Sequence, residues 1–329
     1  MGSVGGLHHV TAIAGPAQEN LDFYAGVLGM RLVKRSVNQD DPGTYHLFYA
    51  DAAGHPGTDL TFFPWAMPAP PRRGHGLSVE VSLTVPPDTL GSWGDRLTRY
   101  GVLPRGVEWR FGERTLAFDD PHGLPLALVE SAESGGRAFE PWRGGPVSAE
   151  RQVRGLHGAR MVERALAPTA DFLTGVLGFT HLGEEAGWHR YLVERGGPGS
   201  AVDVRETPSG PRGAWGTGSI HHLAWRVRDE AHQAEVRGRI EAAARRPTPV
   251  IDRFWFKSVY FLEPGGALFE LATDGPGFDV DEAPDRLGAA LVLPPWLEPS
   301  RSAIVATLPP LRDPSPVAVE STERGPHGA

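Results

Sequence analysis

The sequence predicts an α+β protein of four βαβββ units paired into two cavity-forming modules of curved sheet, the first unit with the fourth and the second with the third. Two internal repeats and a shared grammar within each repeat predict it. The opening of residues 5–65, LHHVTAIAGPAQENLDFYAGVLGMRLV, registers without gaps on the opening of residues 153–207, LHGARMVERALAPTADFLTGVLGFTHL. Leu7 falls on Leu156, Asp22-Phe23 on Asp171-Phe172, and Gly26-Val27-Leu28-Gly29 on Gly175-Val176-Leu177-Gly178. A weaker likeness joins residues 75–132 to 218–274, where Phe111, Phe118 and Pro121 fall on Phe254, Phe261 and Pro264.

Within the first unit, His9-Val10-Thr11-Ala12-Ile13 reads as a short strand. Residues 17–28 form an amphipathic stretch that Gly29 closes as a helix stop. Residues 45–50 and 58–63 read as further strands, separated by Asp-Pro-Gly and Gly-His-Pro-Gly turns. Pro/Arg/Gly-rich linkers are expected at 66–74 and 134–146. Residues 278–329 are expected to be a Pro-rich tail that ends poorly ordered.

Composition narrows the chemistry. There is no cysteine among the 329 residues, so thiolate metal sites, iron–sulfur clusters and a cysteine nucleophile are excluded. Any metal must be bound by histidine and carboxylate. A net charge of −8 argues against nucleic acid as a partner, since phosphate binding needs a basic face. No stretch is apolar enough to span a membrane and no leader pattern opens the chain, so a cytoplasmic location is expected. Assembly with copies of itself is left open.

Two His-His pairs stand out, Leu7-His8-His9-Val10 and Ile220-His221-His222-Leu223, each opening a unit. Neighbours on a strand face opposite sides, so one histidine of each pair is expected to point into a shared cavity and the other away or to the strand's edge. Pro264-Gly265-Gly266 then leads into Ala267-Leu268-Phe269-Glu270-Leu271, an apolar strand with one acid in it. An ionised Glu there is costly unless it is paired or binds a metal. Two imidazoles and one carboxylate, His9, His222 and Glu270, would make the facial triad of non-haem Fe(II) oxygenases, which leaves positions open for substrate and O₂. Read singly, each of these residues could be an ordinary core or surface residue; the repeats weigh against that. The third unit has Gly158 where the first has His9, and the second has Ala127 where the fourth has Glu270. One cavity is thus expected to keep a centre and the other to have lost it. Trp225, Phe254, Trp255 and Phe256 could line a pocket or belong to the core.

The first unit's LHHVTAIAGPAQENLDFYAGVLGMRLVKRSVNQDDPGTYHLFYAD and HPGTDLTFFPW, with SIHHLAW and EPGGALFELATD of the fourth, resemble the vicinal-oxygen-chelate superfamily. Within this glyoxalase/extradiol dioxygenase fold the likeness is to ring-cleaving dioxygenases acting on hydroquinones, and it runs over residues 5–290. The resemblance implies Fe(II), occasionally Mn(II), on His9, His222 and Glu270. It implies catalytic support from His8, Thr11, His221, Arg253 and Tyr260, and a small aromatic substrate with O₂. Nearby rivals are a catechol-type extradiol dioxygenase, whose histidine ligands come from one domain, and a glyoxalase-like isomerase or lyase with a fourth ligand. For the latter the first unit offers no Glu on Asp59-Leu60-Thr61-Phe62-Phe63, and only Asp59 leaves the point open. A metal-free binding protein of this fold is a more distant rival.

Overall fold

The computed structural model describes residues 2–65, 70–132, 137–193 and 196–314. The sixteen strands are β1 (Leu7–Ile13), β2 (Arg31–Asn38), β3 (Asp41–Ala50), β4 (Asp59–Phe63), β5 (Leu77–Val85), β6 (Arg105–Arg110), β7 (Glu113–Asp119) and β8 (Pro125–Glu130), then β9 (Gly155–Glu163), β10 (Thr180–Glu185), β11 (Trp188–Leu192), β12 (Ala201–Glu206), β13 (Ile220–Val227), β14 (Ile251–Asp252), β15 (Lys257–Leu262) and β16 (Leu268–Thr273). They form two eight-stranded sheets. One runs β14-β15-β16-β13-β1-β4-β3-β2, the other β10-β11-β12-β9-β5-β8-β7-β6. The first sheet joins the first unit to the fourth, and the second joins the second to the third, as the repeat pattern predicts. Within every unit the first strand lies parallel to the last, and the others are antiparallel.

The units meet through antiparallel pairs, β1 with β13 and β5 with β9. These central strands are buried on both faces; every residue of β1 is buried. One apolar core unites the two modules, with Leu7, Val10, Leu223 and Trp225 from the first and Val81, Leu83, Leu156 and Met161 from the second. Trp225 is fully buried against Phe179 and Phe269, so of its two expected roles it takes the core one.

Each unit carries one helix: α1 (Ala17–Leu21), α2 (Leu90–Arg99), α3 (Leu166–Phe172) and α4 (Glu230–Ala242), with α5 (Arg301–Thr307) near the end. The helix expected at 17–28 is α1 followed by a π-helical turn, Asp22–Val27, with Gly29 at φ +70°. The repeat reproduces this detail: α3 passes into a π-helical turn at Leu173–Leu177, and Gly178 sits at φ +84°. Phe111 and Phe254, matched by the weaker repeat, both have positive φ, at +50° and +74°.

Two expectations need correction. Asp41-Pro42-Gly43 lies inside β3, and the turn falls one step earlier at Gln39-Asp40. Pro42 is tolerated there because it lies near the start of the strand, before the ladder to β4 begins. The segment after Gly277 is not loose as far as residue 314. Three short 3-10 turns and α5 fold back over the first sheet, burying Phe278, Leu287, Leu293 and Ile304. Residues 315–329, with parts of the two linkers, lie outside the described residues.

Candidate metal centre

His9, on β1, and His222, on β13, come from the two strands that form the seam of the first sheet, and Glu270 from β16 beside β13. Their ligand atoms converge. His9 Nε2 lies 3.2 Å from His222 Nε2. Glu270 Oε2 lies 2.9 Å from His222 Nε2 and 3.3 Å from His9 Nε2. All three residues are buried, and these atoms form a group able to hold a metal ion.

Each ligand residue has its other polar atom tied to the protein. His9 Nδ1 is 2.9 Å from His8 Nδ1, and His222 Nδ1 is 2.8 Å from His221 Nδ1. Ser258 Oγ donates to Glu270 Oε1 at 2.5 Å. Glu270 Oε2, although buried, receives no hydrogen bond of acceptable geometry. Three such atoms, two imidazole nitrogens and a carboxylate oxygen, facing one point suit a cation. Metal–nitrogen bonds of about 2.1 Å meeting at right angles would put adjacent donors about 3 Å apart, and the observed separations match. Burial alone would push Glu270 up; His9 and His222 outweigh it and hold the carboxyl well below its usual range.

The His-His pairs differ from the expected alternation. In the β1–β13 ladder Leu7 pairs with Trp225 and His9 with Ala224, leaving His8 unpaired; Thr11 pairs with His222 and Ala12 with Ile220, leaving His221 unpaired. Both leading histidines are therefore β-bulge residues. A bulge re-aims the side chain, and here it lays each ring against the following one. Burial pushes His8 down, and pushes His221 down to about 3, so both stay neutral.

A cavity of about 310 Å³ opens on His9 and His222. Phe48, Phe63, Trp255 and Phe256 give it apolar walls, with Asn38, Gln39 and Asp40 as polar lining. Of the residues expected to support catalysis, His221, Arg253 and Tyr260 line it. His8 and Thr11 do not: His8 is buried next to His9, and Thr11 bonds Thr61 Oγ1 at 2.7 Å. Trp255 and Phe256 line the cavity, and Phe254 does not. Arg253 is fixed by two bonds to Asp40, at 2.7 and 3.2 Å, with its guanidinium 5.4 Å from the Tyr260 ring centre. Burial, then Glu270, push the Tyr260 phenol well up, so it keeps its proton.

Sequence reasoning missed Ser258 and His46. His46 lines the cavity and bonds Thr61 Oγ1 at 3.0 Å through Nε2. Strand alternation could have found Ser258, two residues before Tyr260 and so on the same face. Asn38, Gln39 and Asp40 were also missed, being a turn whose place over the cavity depends on how the sheet curls.

The second sheet's concavity is built differently. Ala127 pairs with Ser82 as Glu270 pairs with Ala224. Gly158 occupies the place of His9, and a Cβ there would come within 2.8 Å of the Ala201 carbonyl. Charged pairs fill the place of a metal: Arg110 on Glu80 at 2.5 Å, Arg190 on Asp203 at 2.7 Å and on Glu113 at 2.6 Å.

With this geometry in view, likeness to known proteins becomes informative. The Glyoxalase/Bleomycin resistance protein/Dioxygenase superfamily matches residues 6–128. A Bacillus subtilis (strain 168) protein, MhqO, named provisionally as a ring-cleaving dioxygenase, is 44% identical over 91% of this chain and 94% of its own length. The chain belongs to this superfamily. It groups there with relatives named as ring-cleaving dioxygenases. Chlorohydroquinone/hydroquinone 1,2-dioxygenase of Sphingobium indicum is 32% identical over 92% of this chain and 96% of its own. The crystal structure of a Bacillus subtilis protein provisionally titled a dioxygenase superposes with a TM-score of 0.88 at 40% identity, covering 96% of this chain and all of that one. Glyoxalase I from Zea mays shares the fold, with a TM-score of 0.60 at 12% identity over 82% of this chain and 92% of that one. No helix among the described residues is long and apolar enough to cross a membrane.

Proposed function

We propose that the protein is a non-haem, metal-dependent dioxygenase that opens the ring of a hydroquinone-type substrate with O₂, using Fe(II) held by His9, His222 and Glu270. One observation supports this above others: three buried ligand atoms face one point while His8, His221 and Ser258 occupy their remaining polar atoms. The metal, when bound, supplies Lewis acidity and an electron path between substrate and O₂ on its open positions.

What the chain itself contributes follows from its hydrogen bonds. For His9 and His222 to present Nε2 lone pairs, their protons must sit on Nδ1 and be donated to Nδ1 of His8 and His221. His221, which lines the cavity, then carries its own proton on Nε2 and acts as a donor to a substrate oxygen. Tyr260, kept neutral, offers a second donor, its phenol. The positive Arg253, held by Asp40, favours the ionised form of a bound phenol. Phe48, Trp255 and Phe256 supply apolar contact for a single ring and limit water beside it. A hydroquinone carries its second oxygen across the ring from the first, and Asn38 and Gln39 provide hydrogen-bonding groups elsewhere in the same lining.

The test is metal content and O₂ uptake by the purified protein, with hydroquinone against catechol. His9→Ala should lose both metal and uptake. Full metal content and activity in that variant would overturn the triad. Uptake with catechol and none with hydroquinone would overturn the substrate class alone.

A further inference from the structure

The chain crosses between the two modules twice, from β4 to β5 and from β12 to β13, and the two crossings are bonded to each other. Arg72 and Ala214 exchange both backbone hydrogen bonds, at 3.1 and 2.9 Å, and the Gly213 N–H donates to the His75 carbonyl at 2.9 Å. Arg72 Nε donates to the Arg212 carbonyl at 2.9 Å. The backbones touch: a Cβ on Gly74 would lie 2.2 Å from the Pro211 carbonyl oxygen. Each crossing carries a tryptophan, Trp65 on the first and Trp215 on the second.

Both tryptophans reach His221. The Trp215 ring lies over the imidazole, with centroids 4.4 Å apart and planes inclined at 33°. Trp65 and Phe63 meet it edge-on, each with its centroid 5.6 Å away, at 71° and 85°. Asp41 accepts from Trp65 Nε1 at 3.0 Å, which ties that indole to β3. Trp215 is held through its chain neighbours: Ala214 is paired with Arg72, and the Gly216 N–H donates to Ser219 Oγ at 2.9 Å. Trp215 is 39% exposed and does not line the cavity, so it is neither core nor a wall for substrate.

His221 needs such support more than His8 does. Both are bulge residues whose Nδ1 meets the following histidine. His8 is buried, with the Phe256 ring 5.3 Å away. His221 is only half-buried, and a single contact through Nδ1 leaves its ring free to tilt about that bond. A flat ring over its face and two more at its edges remove that freedom.

We propose that Trp215 is a positioning residue for the reaction: its indole, with Phe63 and Trp65, fixes the plane of the His221 ring and so the direction in which Nε2 donates. This rests on His221 serving as a donor to substrate. It also gives the second module a part in the chemistry, since the crossing that carries Trp215 is seated on the crossing that leads into β5.

The test is a double-mutant cycle. Turnover of hydroquinone with O₂ is measured on the iron-loaded, full-length protein, and Fe(II) content is checked in each variant. Trp215→Ala should keep its iron and lose up to about 100-fold in kcat/KM, the cost of a misaimed group. Trp215→Phe, which restores a flat ring, should recover most of that loss. On a His221→Ala background, adding Trp215→Ala should cost little, because its effect passes through His221. A loss as large there as in the wild type would overturn the inference. If Trp215→Ala fails to fold, Trp215→Leu takes its place, and wild-type kcat/KM in that variant overturns the inference. A second readout needs no turnover and so stands whatever the substrate. Diethyl pyrocarbonate, applied to the anaerobic iron-loaded protein and followed by peptide mass mapping, should modify His221 faster once Trp215 is replaced by Ala or Leu. An unchanged rate overturns the inference too. Full activity in His221→Ala would overturn the donor role of His221 itself, a separate failure.

Discussion

Ser258 shows how much of the centre depends on groups that do not face the metal position. Its hydroxyl holds one oxygen of Glu270, so the other is aimed rather than free to rotate. Outer partners of this kind are commonly worth about 10–100-fold in metal affinity. Ser258→Ala should weaken metal binding by that order while the fold stays intact, as read by chelator competition and the thermal unfolding midpoint. The histidine pairs make the same point. Alternation along a strand places His8 and His221 away from the following histidine, but each is the extra residue of a bulge and its Nδ1 returns to its neighbour.

Among the elements, the segment after Gly277 has the clearest effect on the cavity. Lys34, wholly buried in β2, reaches Asp281 at 2.6 Å and Glu282 at 2.5 Å, and the Phe278 carbonyl at 3.0 Å. A buried ammonium is costly unless paired, so these contacts fix the segment against the sheet. Asp281 also accepts from Trp255 Nε1 at 2.9 Å, and Trp255 is a cavity wall. Asp281→Ala should therefore raise KM for the aromatic substrate with metal content unchanged. Steady-state kinetics and metal analysis check this; an unchanged KM would mean that Trp255 holds its place without the segment.

For the whole molecule, the Pro264-Gly265-Gly266 turn that leads into β16 is one of the places where the modules meet. A Cβ on Gly265 would fall 1.7 Å from Glu163 Oε2, so the turn seats closely on that β9 side chain and a larger residue would have to displace it. There the Glu163 carboxyl is buried in the field of Glu263, which accepts from Thr169 at 2.7 Å. Burial, then Glu263, raise the Glu163 carboxyl to about 9, against opposing help from the Gly76 N–H and Arg212. The folded state thus keeps a proton that the unfolded chain releases near the ordinary 4.5. Its stabilising effect is full below that value and is lost as pH rises through about 9. Glu163→Gln, neutral at every pH, should flatten this decline. Thermal midpoints of both proteins measured between about pH 5 and 9 should diverge as pH rises; parallel curves would disprove the retained proton.

Much of this architecture is legible in the chain itself. The recurrence of Asp-Phe and Gly-Val-Leu-Gly marks the first and third units and repeats even the π-helical turn, because similar local sequences meet similar local constraints. His9, His222 and Glu270 are visible because a polar group in an apolar strand needs a reason to be there. Periodicity cannot say which strand lies beside which, nor where a ladder slips by a residue. His46 and Ser258 look like ordinary strand residues until β3 is laid beside β4 and β15 beside β16. Lys34 finds its two acids well over two hundred residues away. The loss of a centre in the second sheet shows in Gly158 and Ala127, but the arginine–carboxylate cluster that fills its place exists only once five strands have come together.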